Sequence, residues 1–539
     1  MQRPYQDSSV SGGHHVAAHY ARVMTAYLGL MYVLWLIGLE GIYAHPTPFY
    51  ALYAPSTGTP VAAALTVVIL FAGYRLLHGA TSPQQAIGGA FVPVSLAILA
   101  TGVALSVLAA PDSGETAWAH LAGLASRLAW QLPALATFAG GAVLLVRAVL
   151  PRLALEHELT SGDTKRILGG IFVFAILFAC TIAMMRGGFQ GIAQAYARSS
   201  YEYIGDIGKT RSIRALFSQY LEIHEHLSMH AKVHPPGPIA LLWIFSMFLL
   251  STSPMALSLA TVVFSSLAVF PLYGWAKRLT GQRAALVACL CYVAVPSVVL
   301  FTATSADALF TPFTLAALYC FERAIRTRSI AFALLAGAAY AAMILLKFSL
   351  IGIGAYFGLV GLWMLWRRET RVNVVQTAAL MLLAVAGVLG AVYAWSGYNI
   401  YENFLVAKAQ FDTDQYHLDE LTPRLPSWTY KILNPACWFY FAGIPMSLLF
   451  LRELWRGDPA LRARWVLFLL TLAALNFLYL ARGEGERSAL YLIPFVLIPA
   501  AAYLERWTAK SGETGPLLAT LAFLAFQTWF TETIFYTYW

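Results

Sequence analysis

Tyr203-Ile-Gly-Asp206 and His230-Ala-Lys-Val-His234-Pro-Pro-Gly-Pro238 both lie within residues 186–238, the longest polar interval of the chain. On either side of this interval the sequence is almost entirely apolar. The interior of a bilayer offers no water to charged side chains or irregular backbone, so the interval must lie at or outside the membrane surface. We therefore interpret the surrounding apolar helices as the frame that holds it.

The composition of the 539 residues is that of an integral membrane protein. Hydrophobic residues make up 59% of the chain and charged residues only 11%, whereas soluble domains carry about 25% charged residues. The net charge of +9 would favour a nucleic acid partner in a soluble protein. Basic cytoplasmic loops account for this charge in a membrane protein, so we expect no nucleic acid partner.

The apolar runs predict an all-α fold, a polytopic bundle of transmembrane helices, because about 20 apolar residues span a bilayer as one helix. About fifteen spans are predicted, at residues 23–43, 60–78, 87–110, 128–150, 167–185, 255–275, 283–302, 308–323, 329–346, 349–366, 374–396, 436–452, 465–480, 488–504 and 515–535. The predicted domains are an N-terminal bundle of unknown role (1–166), a core (167–504) and a C-terminal transmembrane helix (505–539). The core carries two long external loops, 186–254 and 397–435.

The apolar run from Pro238 to Leu250 decides the orientation of every later loop. If this run crossed the bilayer, the basic clusters around Lys277, Arg323 and Arg367 would all lie outside. Basic loops are retained in the cytoplasm, so we expect a re-entrant or juxtamembrane helix here instead. The two long loops then share the extracytoplasmic face, with the N-terminus inside and the C-terminus outside.

Three segments, taken in order, resemble the GT-C superfamily of polyprenyl-phosphate-dependent glycosyltransferases. They are the external loop with Asp206 followed by His234-Pro-Pro, the basic turn Lys277-Arg-Leu-Thr-Gly-Gln-Arg283, and Ser305-Ala-Asp307-Ala-Leu. The pattern is similar to that of protein O-mannosyltransferases and lipid A aminoarabinose transferases. It extends over roughly residues 165–500.

The sequence departs from that family pattern in two ways. A single Asp206, preceded by Gly205, stands where relatives have an adjacent Asp-Glu pair. Five predicted helices also precede the first loop, where simpler relatives have one. The first departure bears on the identity of the catalytic base, and the second on the role of the N-terminal bundle.

The resemblance implies a reaction, a location and partners. The donor is a sugar linked to polyprenyl phosphate, and the acceptor hydroxyl belongs to a membrane lipid, a lipid-linked glycan or a protein. Transfer is expected to invert the anomeric configuration. The protein is expected in the cytoplasmic (inner) membrane, with its active site on the extracytoplasmic side. A transporter or flippase without chemistry is the alternative, although it would show repeated halves and polar groups near the bilayer midplane.

Two aspartates are the predicted catalytic residues. The chemistry needs a carboxylate to accept the acceptor's proton, and Asp206 is external and flanked by aromatic residues. Its alternative is an ordinary turn aspartate, since Gly-Asp is common in loops. Asp307 precedes an apolar helix, so it lines the site or caps that helix.

Three residues are predicted to bind the donor phosphate. Lys347 interrupts an apolar stretch and Arg487 follows a glycine-containing turn, and fixed cations suit a phosphate leaving group. The alternatives are a lysine that reaches the membrane surface and a self-neutralised turn. The resemblance implies a hydrogen bond from His234 to the phosphate.

A divalent metal is the remaining cofactor possibility, and no cofactor is certain. His226 and His230 are four residues apart, and Glu222 lies one helical turn earlier, so on a regular helix they would share a face. Pro235 interrupts such a helix near His234, because a residue before proline avoids helical geometry. We therefore favour the assignment without a metal.

Overall fold

The computed structural model describes residues 159–534 except 368–370, 422–426, 478–486, 488–489 and 512–514, together with Gly141, Leu145, Ala148, Val149 and Leu153. Within these residues every regular element is a helix, which confirms the all-α fold class. The predicted spans at 23–43, 60–78 and 87–110 lie outside the described residues, as does nearly all of the predicted N-terminal bundle.

In chain order, the helices are α1 Ser161–Gly187, α2 Phe189–Ala197, α3 Ile213–Ser218, α4 Met229–Lys232, α5 Gly237–Leu249, α6 Pro254–Ser266, α7 Val269–Thr280, α8 Gln282–Tyr292, α9 Pro296–Thr304, α10 Thr311–Thr327, α11 Ile330–Leu346, α12 Ile353–Arg367, α13 Arg371–Ser396, α14 Ile400–Leu421, α15 Ser427–Phe441, α16 Ile444–Arg456, α17 Pro459–Phe477, α18 Ile493–Ser511 and α19 Gly515–Ile534. Short 3₁₀ turns connect several of them: Tyr203–Asp206, His224–His226, Ala306–Phe310, Phe348–Gly352 and Leu490–Leu492.

Six segments of the described chain are long and apolar enough to cross a membrane: Ser161–Met185, Pro254–Thr280, Ala306–Thr327, Phe348–Arg367, Arg371–Ser396 and Leu490–Ala509. The pair α8 and α9, bent by 54°, makes a seventh if it is one broken span. The bend coincides with Pro296, which lacks the amide proton needed to continue α8. The protein is therefore a multi-pass membrane protein, and the total of about fifteen spans stays a prediction.

The aromatic core lies where α7, α12, α17 and α18 meet. The ring of Phe495 stacks on Phe468 at 4.4 Å between centroids and meets the edges of Trp275 at 5.0 Å and Tyr356 at 4.8 Å. Offset and edge-on ring pairs of this kind contribute about 0.5–1.5 kcal/mol each beyond the burial of their area. The core therefore fixes the axes of the helices that carry the polar groups at their ends.

Charged residues separate to the two ends of the span that contains α10. Asp307 lies in the 3₁₀ turn before α10, and Glu322 lies near the end of the helix. The buried Glu322 carboxylate accepts hydrogen bonds from Arg326 and from Arg464 of α17. The Arg278 guanidinium lies 5.7 Å from the ring of Tyr319, at the Glu322 end. The basic residues predicted to be cytoplasmic thus gather opposite Asp307.

Helix α5 is 13 residues long, or about 20 Å at the α-helical rise. A bilayer core is about 30 Å thick, so α5 is too short to cross it. The helix ends at Leu249 and is followed by Leu250, whose φ of 49° is left-handed, and the residues Phe248 and Leu250 are 81% and 92% exposed. Its length suits the predicted re-entrant or juxtamembrane helix, whose side of the membrane stays a prediction.

The segment predicted as the second long external loop, 397–435, is largely helical, and its place outside the membrane stays a prediction. Helix α14 occupies Ile400–Leu421, and α15 begins at Ser427. No glycine or proline interrupts α14, and pairs one turn apart support it: Lys408 with Asp412, and Gln410 with Asp414. Such i,i+4 pairs stabilise a helix by about 0.2–0.5 kcal/mol each. The polar composition of this segment is equally typical of a loop, so it did not indicate a helix.

Candidate active site

A buried aspartate lies between two cations from distant parts of the chain. The Lys347 ammonium donates a hydrogen bond of 2.8 Å to Oδ1 of Asp307. The Arg487 Nε lies 3.7 Å from Oδ2 of the same carboxylate. All three side chains are nearly buried, with 8–11% of each exposed. The structure thus brings together three residues that the sequence predicted to share one site.

Interruptions of helical structure position these charged residues. Asp307 follows Ser305, whose Oγ accepts a hydrogen bond of 3.2 Å from the Asp307 amide and starts the 3₁₀ turn. Lys347 has an extended backbone directly after α11 and before the next 3₁₀ turn. Arg487 lies shortly before the turn Leu490–Leu492. Asp307 and Lys347 therefore each sit where an apolar helix stops, which limits the cost of burying them.

His234 is the fourth predicted residue at this site. Burial, together with the positive charge of Lys347, lowers the pKa of His234 to about 3. Its Nδ1 donates a hydrogen bond of 2.7 Å to the carbonyl of Val233. The ring is therefore neutral near pH 7, with Nε2 left as a hydrogen-bond acceptor. The Nε2 of this neutral ring accepts a hydrogen bond and has no proton to donate to a phosphate oxygen, so the phosphate contact implied for His234 stays a prediction.

Gly237, three residues after His234, fixes the distance between the loop and Lys347. A Cβ at position 237 would lie 2.1 Å from the carbonyl oxygen of Leu345. Only glycine allows the start of α5 to approach α11 this closely. The contact is two residues from Lys347, so the same close approach that needs glycine brings His234 beside the Lys347 charge.

Glu202 is a buried carboxylate that the sequence did not single out. Only 3% of its side chain is exposed, and its Oε1 lies 3.0 Å from Nδ1 of His230. Burial raises the pKa of Tyr203 well above its ordinary value, and the charges of Asp307 and Glu202 add to this effect. Tyr203 therefore lies within electrostatic range of both carboxylates. The ring of Tyr203 also packs on that of His234, at 6.1 Å between ring centroids.

Asp206 is fully buried, and both of its carboxylate oxygens are hydrogen-bonded. Ser228 donates from its amide at 3.0 Å to Oδ1 and from its hydroxyl at 2.6 Å to Oδ2. Lys209 donates from its ammonium at 2.7 Å. The contacts with Ser228 join two parts of the loop that are 22 residues apart. They favour a role for Asp206 in holding the loop together, and its role as the base stays a prediction.

Tyr220 holds the loop that leads to the site. Its buried hydroxyl lies 2.8 Å from the carbonyl of Ala231 and 3.0 Å from that of His234. Its ring packs edge-on against Tyr398, in the connection before α14, at 6.3 Å between centroids. The second predicted external segment therefore contacts the first beside His234.

The predicted alternative metal ligands do not form a cluster. His226 belongs to a 3₁₀ turn and His230 to the separate helix α4, so the two do not share the regular helix that would align them. His230 faces Glu202 instead of Glu222. In the part of the chain that the structure describes, no three His, Cys, Asp or Glu side chains group as metal ligands do.

Comparisons with known proteins identify the core around this site. Residues 233–395 match the family model of dolichyl-phosphate-mannose-protein mannosyltransferases. This segment is similar to a domain of the GT-C glycosyltransferases. The match confirms the resemblance drawn from the sequence. A comparison with curated proteins finds no match.

The matched segment contains part of the candidate site and borders the rest. His234, Asp307 and Lys347 lie inside the matched residues, whereas Glu202 and Arg487 lie outside them. The fold joins these outer residues to the matched segment through the Arg487–Asp307 ion pair and the packing of Tyr203 on His234, at 6.1 Å between ring centroids. The site therefore extends beyond the matched segment.

The signal for Glu202 in the sequence is its setting, Tyr201-Glu202-Tyr203, a carboxylate between two aromatic residues at the start of the polar interval. Asp206, four residues later, was predicted as the base instead, because its carboxylate lies in the same polar interval. The burial of Glu202 depends on His230, 28 positions later, and sequence spacing does not reveal that contact.

Proposed function

We propose that the protein transfers a sugar from a polyprenyl-phosphate donor to an acceptor hydroxyl on the extracytoplasmic side of the inner membrane. The observation that carries this proposal is the buried contact of Asp307 with Lys347 and Arg487, in a protein with a segment similar to a domain of the GT-C glycosyltransferases. The acceptor hydroxyl belongs to a protein, a membrane lipid or a lipid-linked glycan.

The two cations provide the phosphate site of this proposal. A sugar phosphodiester carries one negative charge, and its phosphate gains a second as the sugar leaves. Fixed cations in a water-poor site stabilise that developing charge without reorganising. Lys347 offers a point charge and Arg487 a planar fork of donors. Asp307 holds both cations in place before the donor binds, and its Oδ2 accepts no hydrogen bond from the described residues.

Glu202 is the base in this proposal. It is buried, it lies in electrostatic range of Tyr203 together with Asp307, and its Oε2 is the oxygen that does not make the 3.0 Å contact with His230. The carboxylate of Asp206, in contrast, is used by Ser228 and Lys209. Asp206 is then the residue that fixes the loop on which Glu202 and His230 face one another.

The proposed reaction is a single displacement. The acceptor oxygen forms a bond to the anomeric carbon while the bond from that carbon to the phosphate oxygen breaks. The electron pair leaves with the polyprenyl phosphate, and the hydroxyl proton moves to the carboxylate of Glu202. Attack from the side opposite the leaving group inverts the anomeric configuration.

The test compares two carboxylates that lie four residues apart. Glu202→Gln removes the base but keeps the shape and the contact with His230, so we expect normal donor binding and a fall in transfer of about 10²–10⁴-fold. Asp206→Asn removes the negative charge that pairs with Lys209 and replaces one acceptor oxygen by an amide donor, so we expect a lower melting temperature and a much smaller loss of transfer. Both are measured as kcat with a polyprenyl-phosphate sugar, beside donor binding.

The opposite pattern, with Asp206→Asn inactive but stable and Glu202→Gln active, would return the role of the base to Asp206. Lipid translocation without any sugar transfer in the purified protein would instead support the flippase alternative. Lys408→Ala is the control for both variants, since Lys408 is exposed on α14 and its charge pairs with Asp412.

A further inference from the structure

The buried Glu202 contacts a side chain that reaches the surface. The Glu202 side chain is 3% exposed, whereas the His230 ring is 21% exposed. Oε1 of Glu202 lies 3.0 Å from Nδ1 of His230. A carboxylate oxygen only accepts, so Nδ1 carries the proton of this contact.

The backbone holds the two residues face to face. The amide of His230 donates a hydrogen bond of 3.1 Å to the carbonyl of Tyr201, and the amide of Met229 donates one of 3.2 Å to the carbonyl of Ser200. The residue that precedes Glu202 is thus bonded directly to His230. These backbone hydrogen bonds therefore fix the positions from which the side chains of Glu202 and His230 contact each other.

We infer that His230 is a positioning residue for the proposed base. The Nδ1–H of His230 holds Oε1 of Glu202 and leaves Oε2 as the single oxygen that receives the proton of the acceptor hydroxyl. Without this bond, the carboxylate turns about its own axis and loses the alignment that proton transfer requires. This inference rests on the proposed function, since it assigns the role of His230 through Glu202.

The surroundings of His230 support an action through Glu202 and not on the phosphate. The ring of Tyr203 lies 6.2 Å from that of His230. The contacts that hold Asp307, Lys347 and Arg487 together run among those three side chains and do not pass through His230. We therefore expect changes at His230 to affect kcat and to leave the affinity for the donor unchanged.

The experiment is a double-mutant cycle on the full-length protein, with Glu202→Gln, His230→Ala and the combined variant. We expect His230→Ala to lower kcat by about 10- to 100-fold in the wild-type background, which is typical of a misplaced catalytic group. In the Glu202→Gln background the same change should alter the residual rate by less than about twofold, because the group it positions is gone. Donor KM should not change in either background.

His230→Asn is the conservative variant, because its amide nitrogen lies near the position of Nδ1 and still donates a hydrogen bond. We expect His230→Asn to recover most of the kcat that His230→Ala loses. Equal losses from His230→Ala in both backgrounds, or no recovery with Asn, would overturn the inference and leave Glu202 as the base. An active Glu202→Gln variant would instead remove the proposed base itself, so the two failures are distinguishable.

Discussion

Lys347 and Arg487 differ in how closely they hold Asp307, at 2.8 Å and 3.7 Å, and this difference predicts how each variant fails. Lys347→Ala removes the partner of a buried carboxylate, so we expect lower stability as well as weaker use of the donor. Arg487→Ala removes a looser contact, so we expect weaker donor use with a smaller loss of stability. Each lost charge-assisted contact should weaken donor binding by about 1.5–3 kcal/mol, measured by titration with a polyprenyl-phosphate sugar. Unchanged donor affinity in both variants would contradict the proposed phosphate site.

His234 predicts a dependence of stability on pH. Its pKa is lowered to about 3 in the folded protein, whereas an unfolded histidine titrates near 6.5. Between these values the unfolded chain binds more protons than the folded one, so stability is present above about pH 6.5 and declines as the pH falls. We expect the melting temperature of the wild type to fall from pH 7 to pH 5, and less steeply in His234→Gln. The exposed His226→Gln is the control, and the same slope in wild type and His234→Gln would contradict this account.

Individual residues of the site were predictable to different degrees. A charge that interrupts an apolar stretch is visible in the sequence, as at Lys347, whereas Asp307 precedes an apolar helix and Arg487 follows a glycine-containing turn. Glu202 lies in a polar interval among other carboxylates, so its type and neighbours do not distinguish it. Only the fold shows that Glu202 is buried against His230 while Asp206 is bonded to Ser228.

At the scale of elements, the contact between α5 and α11 gives a sharp test. Gly237→Ala places a Cβ 2.1 Å from the carbonyl oxygen of Leu345, so the two helices must move apart beside Lys347. We expect a lower melting temperature and a loss of transfer, measured together on the purified protein.

Gly387→Ala is the matched control for this test, because a Cβ at position 387 in α13 meets nothing within 4 Å. Alanine replaces glycine inside a helix there, which should leave the stability unchanged or raise it by about 0.5–1 kcal/mol. Equal behaviour of the two variants would contradict the close approach at Gly237.

Most apolar elements were predictable because one rule dominates, namely that a long apolar run becomes a helix in a bilayer. The predicted spans at 167–185, 255–275 and 374–396 lie within or closely match helices of the structure. Helix α14 was missed because its polar composition is equally typical of a loop. Lys408 and Asp412 are four residues apart, which is one helical turn, but this spacing indicates a helix only if a helix is already assumed.

For the whole molecule, the separation of charge predicts how the protein lies in the membrane. Glu225, on the loop that holds the site, and Thr327, at the far end of α10, are both exposed. We expect a cysteine at position 225 to react with an impermeant reagent from outside the cell, and one at position 327 to react only after the membrane is opened. Replacing the five native cysteines first removes the background. Labelling of position 327 from outside would contradict the proposed orientation.

In the proposed reaction, the cluster of Asp307, Lys347 and Arg487 would also set the order of events after transfer. The cations that stabilise the departing phosphate remain around it once the sugar has gone, and a phosphate monoester carries more negative charge than the diester that entered. The spent lipid is therefore held more firmly than the fresh donor. We expect release of the polyprenyl phosphate product to limit the rate of turnover. The rate in a living membrane should then depend on how quickly that polyprenyl phosphate is removed and reused.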